Sequence, residues 1–243
     1  MKIALIGYGK MGKLVETLAI LDGWEIGPRL DLHNNPNGAG ITTELMQGVD
    51  VGVDFSQPDA VLPDIEAAAR AGLNLVVGTT GWDQARHIAE KIVRDSRIGL
   101  VYGSNFSVGM NLFFEIVAHA AQVIGNAPQY DPYLAEEHHR AKKDAPSGTA
   151  LSLRDLMRPF LGKRNPGVAS TRAGHIPGNH VVGFDSEADT IILEHRARSR
   201  QGFAEGALLA ARWIVGRKGF YNFRDVFHEV LGGLTIERLT IDD

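Results

Sequence analysis

The chain has 243 residues and 26.4 kDa, 44% of them hydrophobic and 22% charged, which suits one large α/β domain or two modest ones and excludes disordered and collagen-like classes. With no cysteine there is no disulfide framework, thiolate zinc site, iron–sulfur cluster or thioester chemistry. A net charge of -4 and a pI near 6.1 give no general attraction for polyanions, so a small molecule is the expected partner rather than nucleic acid or a membrane surface.

No segment reaches the run of roughly 18 apolar residues that a membrane helix needs. Met1 to Ile6 passes from one lysine straight into an apolar strand pattern, unlike a secretion signal, and a cytoplasmic location is expected. Lys2–Ile6 reads as a buried strand, Lys10–Leu21 as a helix, Glu25–Asp31 and Val49–Phe55 as strands, Asp59–Ala71 as a helix. Strand Asn74–Val77, helix Asp83–Asp95 and strand Ile98–Tyr102 follow. Pro28 cannot donate to a ladder, so the second strand is expected to begin as late as Arg29. Strands rich in Val, Ile and Leu that alternate with amphipathic helices predict a Rossmann-like, doubly wound parallel sheet.

Beyond Asn105 the texture changes. Val108–Ile124 reads as a long helix, Asp131–His139 as extended, Gly148–Phe160 as helical, and His180–Asp185 with Thr190–Ala197 as a hairpin closed by Ser186–Asp189. Strands adjacent in sequence imply a second α+β domain with a mixed sheet. Phe203–Val215 and Asn222–Leu231 read as closing helices without a partner in sequence order, free to pack back on the first domain. The expected division is 1–106 with 217–243 as the dinucleotide-binding domain and 107–216 as the substrate-binding and oligomerisation domain.

Gly7-Tyr8-Gly9-Lys10-Met11-Gly12 is a G-x-G-x-x-G fingerprint placed between the first strand and the first helix. Its glycines permit the tight turn, the approach of a pyrophosphate and close helix–strand packing, while N–H groups at the helix start meet the phosphates. Asp31 lies 19 residues past Gly12 at the end of the second strand, where an acid bonds both ribose hydroxyls. Gly78-Thr79-Thr80-Gly81 and Gly103-Ser104-Asn105-Phe106 follow the fourth and fifth strands, at the carboxyl edge where open parallel sheets bind ligands. Read alone, each is equally a bare turn.

The segment Glu136-Glu137-His138-His139-Arg140-Ala141-Lys142-Lys143-Asp144-Ala145-Pro146-Ser147-Gly148-Thr149 is the most unusual in the chain. Adjacent histidines on a strand point to opposite faces, so one at most faces a given site. Ser147 is placed to cap the following helix, whose Gly148 and Thr149 amides are expected to stay free for a carboxylate. Histidine supplies a proton near neutral pH, and lysine a charge or a second acid. Zinc is the rival reading of the histidines, but no H-E-x-x-H-like spacing supports it, and no metal is expected. His175, His180 and His195 are expected to be structural or surface residues.

This run resembles the signature E-x-H-H-x-x-K-x-D-A-P-S-G-T-A of the 4-hydroxy-tetrahydrodipicolinate reductase (dihydrodipicolinate reductase) family, matching without insertion from Glu136 to Ala150. The glycine motifs, Asn105-Phe106-Ser107-Val108-Gly109, Arg172 to Gly178 and Arg224-Asp225-Val226 resemble the same family in order, so the likeness covers essentially the whole chain. It implies reduction of a cyclic unsaturated imine dicarboxylate by NADH or NADPH in lysine and diaminopimelate synthesis, by a homotetramer built through the second domain's sheet. It also implies His138 as acid–base residue, Lys142 as proton donor or electrostatic partner, and His139, Ser147, Gly148 and Thr149 as substrate binders. Members favouring NADPH carry an arginine after the ribose-binding acid and a second basic residue in the turn after the third strand. Leu32 and Gln57 stand at those places here, so NADH is the expected cofactor, with NADPH possible. The alternatives are another NAD-dependent imino or amino acid reductase of the same plan, or a non-catalytic dinucleotide sensor; the latter would show erosion around His138 and Lys142. The missing cysteine excludes a thioester-forming aldehyde dehydrogenase.

Overall fold

The computed structural model describes residues 1–232. The chain divides into two compact units, Met1–Ser107 with the described residues from Gln201 onward, and Val108–Arg200. The last eleven residues of the expected first domain, 233–243, lie outside the described range.

The first unit opens with β1 (Lys2–Ile6), α1 (Lys10–Leu21), β2 (Glu25–Leu30), β3 (Val51–Asp54), α2 (Val61–Ala71), β4 (Leu75–Val77), α3 (Arg86–Ser96) and β5 (Gly99–Tyr102). β1, β3 and β4 are buried almost residue for residue because helices cover both faces, so their apolar runs are continuous rather than alternating. α2 stops where Gly72 takes a left-handed conformation (φ 69°) and its N–H turns back to the carbonyls of Ala68 and Ala69. Pro28 does not delay β2. The strand lies at the sheet edge, and the pairing skips from Ile3–Ile26 to Leu5–Arg29, so an irregularity in the ladder accommodates the imino acid.

The second unit contains α4 (Val108–Gly125), β6 (Asp131–His138), α5 (Gly148–Met157), β7 (Gly167–Arg172), β8 (Asn179–Asp185) and β9 (Thr190–Arg196). Its sheet runs β7-β6-β8-β9, parallel between β6 and β7 and antiparallel elsewhere. Phe113, Phe114 and Val117 of α4 and Leu153 and Met157 of α5 pack with Leu134, Val182 and Phe184 of the sheet. β6 alternates strictly: Pro132, Leu134, Glu136 and His138 are buried while Asp131, Tyr133 and Glu137 are exposed. The period of two therefore places Glu136 and His138 on the face that carries the core.

The chain then returns to the first unit as α6 (Gln201–Ile214), β10 (Gly219–Asn222) and α7 (Phe227–Val230). α6 packs on α1 and the central strands, with Gly206 against the backbone of Phe106 and its last turn tied to Asn74 Nδ2 through the Ile214 carbonyl at 3.0 Å. The contacts group Gln201–Ile214 with the first unit, whereas the sequence reading carried the second domain to 216. β10 completes a six-stranded parallel sheet, β10-β5-β4-β3-β1-β2. The expected helix over Asn222–Leu231 is corrected to the end of β10, a turn and the four-residue α7.

Candidate functional site

In the first unit, the turn after β1 is fixed by backbone: Gly7 and Tyr8 both donate to the Leu30 carbonyl, at 2.9 and 3.0 Å. Gly7 is left-handed (φ 79°), and a Cβ there would stand 2.4 Å from the Phe55 carbonyl carbon. At Gly12 a Cβ would lie 2.7 Å from the Gly7 oxygen, so its absence permits close helix–strand packing. Gly9 differs, since a Cβ there meets nothing within 4 Å. It is the N-cap of α1 and offers no side chain to the first amides, leaving open space before a positive helix end, as a dinucleotide pyrophosphate requires.

Beside this turn lies a pocket of about 320 Å³ lined by Gly7, Tyr8, Gly9 and Asp31 and, from segments the fingerprint did not include, Ser56 and Asp64. Leu32, His33 and Gln57 also face it; no Lys or Arg is among the described lining residues. Asp31 accepts the His33 amide at 2.8 Å. Arg29, two residues before it, is held by Glu16 (Nε to Oε1, 2.7 Å), whose other oxygen accepts the Tyr8 hydroxyl. Lys10 is exposed and Met11 half-buried on the first turn of α1. At the carboxyl ends of β4 and β5, Thr79 is buried with Oγ1 3.3 Å from Asp54 Oδ1, Thr80 and Ser104 are exposed, and Asn105 Oδ1 accepts the Ser107 amide at 2.9 Å. Gly103 and Phe106 are buried, Phe106 against Phe223. Gly78 is small for a reason internal to the fold, because the Phe55 ring occupies the place of its missing Cβ, 2.2 Å away.

In the second unit, His138 at the end of β6 turns Nδ1 onto Oε2 of Glu136. The other oxygen of Glu136 accepts Nη2 of Arg172 at 2.7 Å and the Ser147 amide at 3.3 Å. Burial pushes the Glu136 carboxyl up, but the bonds from Arg172, Ser170 and His138 outweigh it and hold it at about 2. Burial lowers the pKa of His138, with Glu136 opposing and Lys142 and Arg172 assisting. Ser147 caps α5, its Oγ accepting the Ala150 amide at 3.2 Å, and lies 3.4 Å from His180 Nε2. His180 crosses the His138 ring edge-on at 5.2 Å between centroids and is pushed down to about 4, by burial first. Lys142 pairs with Asp144 at 2.8 Å. His139 is half-buried just past the strand end.

The structure refines the sequence reading at three points. His180, expected to be structural or at the surface, is buried within the cluster; its cross-strand position opposite Glu136 could not be read before the pairing of β6 and β8 was known. Arg172 enters from β7, a strand the sequence did not reveal. The Gly148 amide does not stand free, since Asp144 accepts it and holds a carboxylate at the start of α5. Glu136, His138 and His180 do bring ligand-capable atoms within 4.8 Å of one another. Both oxygens of Glu136 are already bonded there, and Arg172 adds a cation. The donor set thus makes a hydrogen-bonded network rather than a metal cage.

Comparison with known proteins agrees along most of the chain. Residues 1–106 match the family described as dihydrodipicolinate reductase, N-terminus, and residues 109–227 its C-terminal counterpart. The 4-hydroxy-tetrahydrodipicolinate reductase of Thiobacillus denitrificans is 36% identical over 93% of this chain and 97% of its own, and that of Cupriavidus necator 33% identical over 93% and 98%. A solved dipicolinate-bound dihydrodipicolinate reductase from Paenisporosarcina sp. TG-14 shares the fold with a TM-score of 0.76 at 20% identity, covering 93% of this chain and 99% of that one. Among the described residues no helix is long and apolar enough to cross a membrane.

Proposed function

The chain belongs to the dihydrodipicolinate reductase family, and from that premise we propose how its residues carry out the NAD(P)H-dependent reduction of a cyclic unsaturated imine dicarboxylate to tetrahydrodipicolinate, in lysine and diaminopimelate synthesis. The observation that carries the reading is the convergence of His138, Ser147 and the start of α5 on one buried carboxylate, with Lys142 beside them.

The first unit holds the dinucleotide, with the pyrophosphate on Gly7 to Gly12, the adenosine ribose at Asp31, and the nicotinamide end at Gly78, Thr79, Thr80 and Gly103 to Phe106. The reduced nicotinamide supplies the hydride. The second unit binds the substrate, with one carboxylate at Ser147, Gly148 and Thr149 displacing Asp144 from the Gly148 amide, and His139 assisting. As the conjugated carbon accepts hydride, electron density moves toward the ring nitrogen and the adjacent carbon. His138 gives that carbon its proton, and the Lys142 ammonium stabilises the developing charge. NADH is the preferred cofactor, and the second unit's sheet builds a homotetramer in the cytoplasm.

The test is oxidation of NADH, followed by absorbance, on substrate freshly made by the preceding synthase. His138→Gln and Lys142→Ala should each lose roughly two to four orders of magnitude in turnover with little change in cofactor affinity. Near-normal turnover in either variant removes that residue from the mechanism.

A further inference from the structure

We propose that Glu136 is a positioning residue for the proposed proton donor, fixing His138 with Nδ1–H toward its carboxylate and leaving Nε2 as the nitrogen that exchanges the proton. The proposal rests on the reading of His138 as that donor. Neutral imidazole has two tautomers, and only an acceptor on one side selects between them. Glu136 is such an acceptor, completely buried in its side chain, and its orientation is settled by Arg172 at 2.7 Å and the Ser147 amide at 3.3 Å on the oxygen His138 does not use. The opposite edge of the ring faces a glycine, where any side chain would crowd it. A Cβ at Gly178, where φ is 148°, would stand 3.1 Å from Nε2.

The groups that face His138 come from every element around it. Glu136 lies on its own strand, Arg172 on β7, His180 on β8, and Lys142 on the following loop. Burial, Arg172 and Lys142 all favour the neutral ring, and His180, itself held near 4, adds no charge at neutral pH. Among the described residues, Glu136 alone opposes them. Its removal therefore lowers the pKa of His138 further and reduces the share of rings that carry a second proton to give.

The test is a histidine-labelled NMR titration of the full chain, read beside the pH profile of turnover, for wild type and Glu136→Gln. We expect neutral His138 protonated on Nδ1 in the wild type. In E136Q its titration and the alkaline limb of kcat should both move to lower pH, with turnover near neutrality down by at least about tenfold. On a His138→Gln background, E136Q should shift the pH profile of turnover no further, since its effect on the proton runs through the ring, while its bonds to Arg172 and the Ser147 amide bear on substrate binding and are read in KM. A folded E136Q whose His138 titration and pH profile match the wild type overturns the proposal. If H138Q itself keeps normal turnover, the reading of His138 fails, while the titration still reports whether Glu136 sets the ring's tautomer and pKa. Should E136Q not fold with Arg172 left unpaired, the E136Q/R172Q pair removes the ion pair as a unit and is read in the same way.

Discussion

Asp31 stands at the end of β2 with one carboxylate oxygen on the His33 amide, in a pocket whose described lining includes a second acid, Asp64, and no Lys or Arg. A 2′-phosphate there would set about two negative charges against that carboxylate. Arg29, near in sequence, is committed to Glu16, and Leu32 is exposed without charge. We therefore expect at least a tenfold preference for NADH in kcat/KM, about 1.4 kcal/mol, narrowing at high salt, and its reversal in an Asp31→Ser, Leu32→Arg variant. Better use of NADPH by the wild type at both low and high salt would defeat the argument. Residues of this kind were legible from the sequence because they belong to local motifs: Gly7, Gly9 and Gly12 act within one turn, and Ser147 caps its own helix. Glu136, Arg172 and His180 were not, because their partnership depends on the pairing of β6 with β7 and β8. Gly78 was legible as a small residue at a strand end, but its packing against the sheet was not. Its smallness serves the Phe55 ring, a neighbour across the sheet that no spacing rule discloses.

The step from β3 into α2 carries a buried acid at each end. Asp54, at the strand's last position, is raised to about 6 by burial against bonds from Ser56 and Thr79; Asp64, in the first turn of the helix, is raised to about 7 by burial and then by the charge of Asp54. Oδ2 of each is buried without a partner. Both bind protons more tightly folded than unfolded, where such groups titrate near 4. Their contribution to stability is thus fully present below about pH 4 and is lost as pH rises through 6 and 7. Without cofactor, the Tm should fall between about pH 5 and about pH 8. Asp64→Asn, which keeps an acceptor for Asn35 Nδ2, should flatten that slope and gain about 1–3 kcal/mol at the alkaline end. An unchanged slope would show that other groups carry it. Elements with a strong period were readable, as the β6 alternation and the long apolar α4 demonstrate. β7 was not, since Gly-Val-Ala-Ser-Thr-Arg is an edge strand with little burial and no apolar alternation. The four residues of β10 were hidden in the approach to α7.

At the scale of the molecule, the second unit's sheet has one face covered by α4 and α5 while the other presents Tyr133 and, on the edge strand β9, Ile192, which is 57% exposed. An apolar sheet face of this kind is a natural site of self-association, and the expected mass in solution is four times the 26.4 kDa of the chain. Light scattering should give that value, with Ile192→Glu shifting it downward; a wild-type monomer would remove the tetramer. The order of the sheet also bears on synthesis. β10 and α6, the strand and helix that finish the first unit, are made after the whole of the second. The amino-terminal strands therefore leave the ribosome with their edge at β5 unpaired and their α6-covered apolar surface open, and they must wait about a hundred residues for closure. The later-made unit, continuous from Val108 to Arg200, has all its own strands in hand first. All of the second unit's strands are thus in the emerging chain before the first unit's sheet is complete, and the open edge at β5 stays exposed to other chains in that interval.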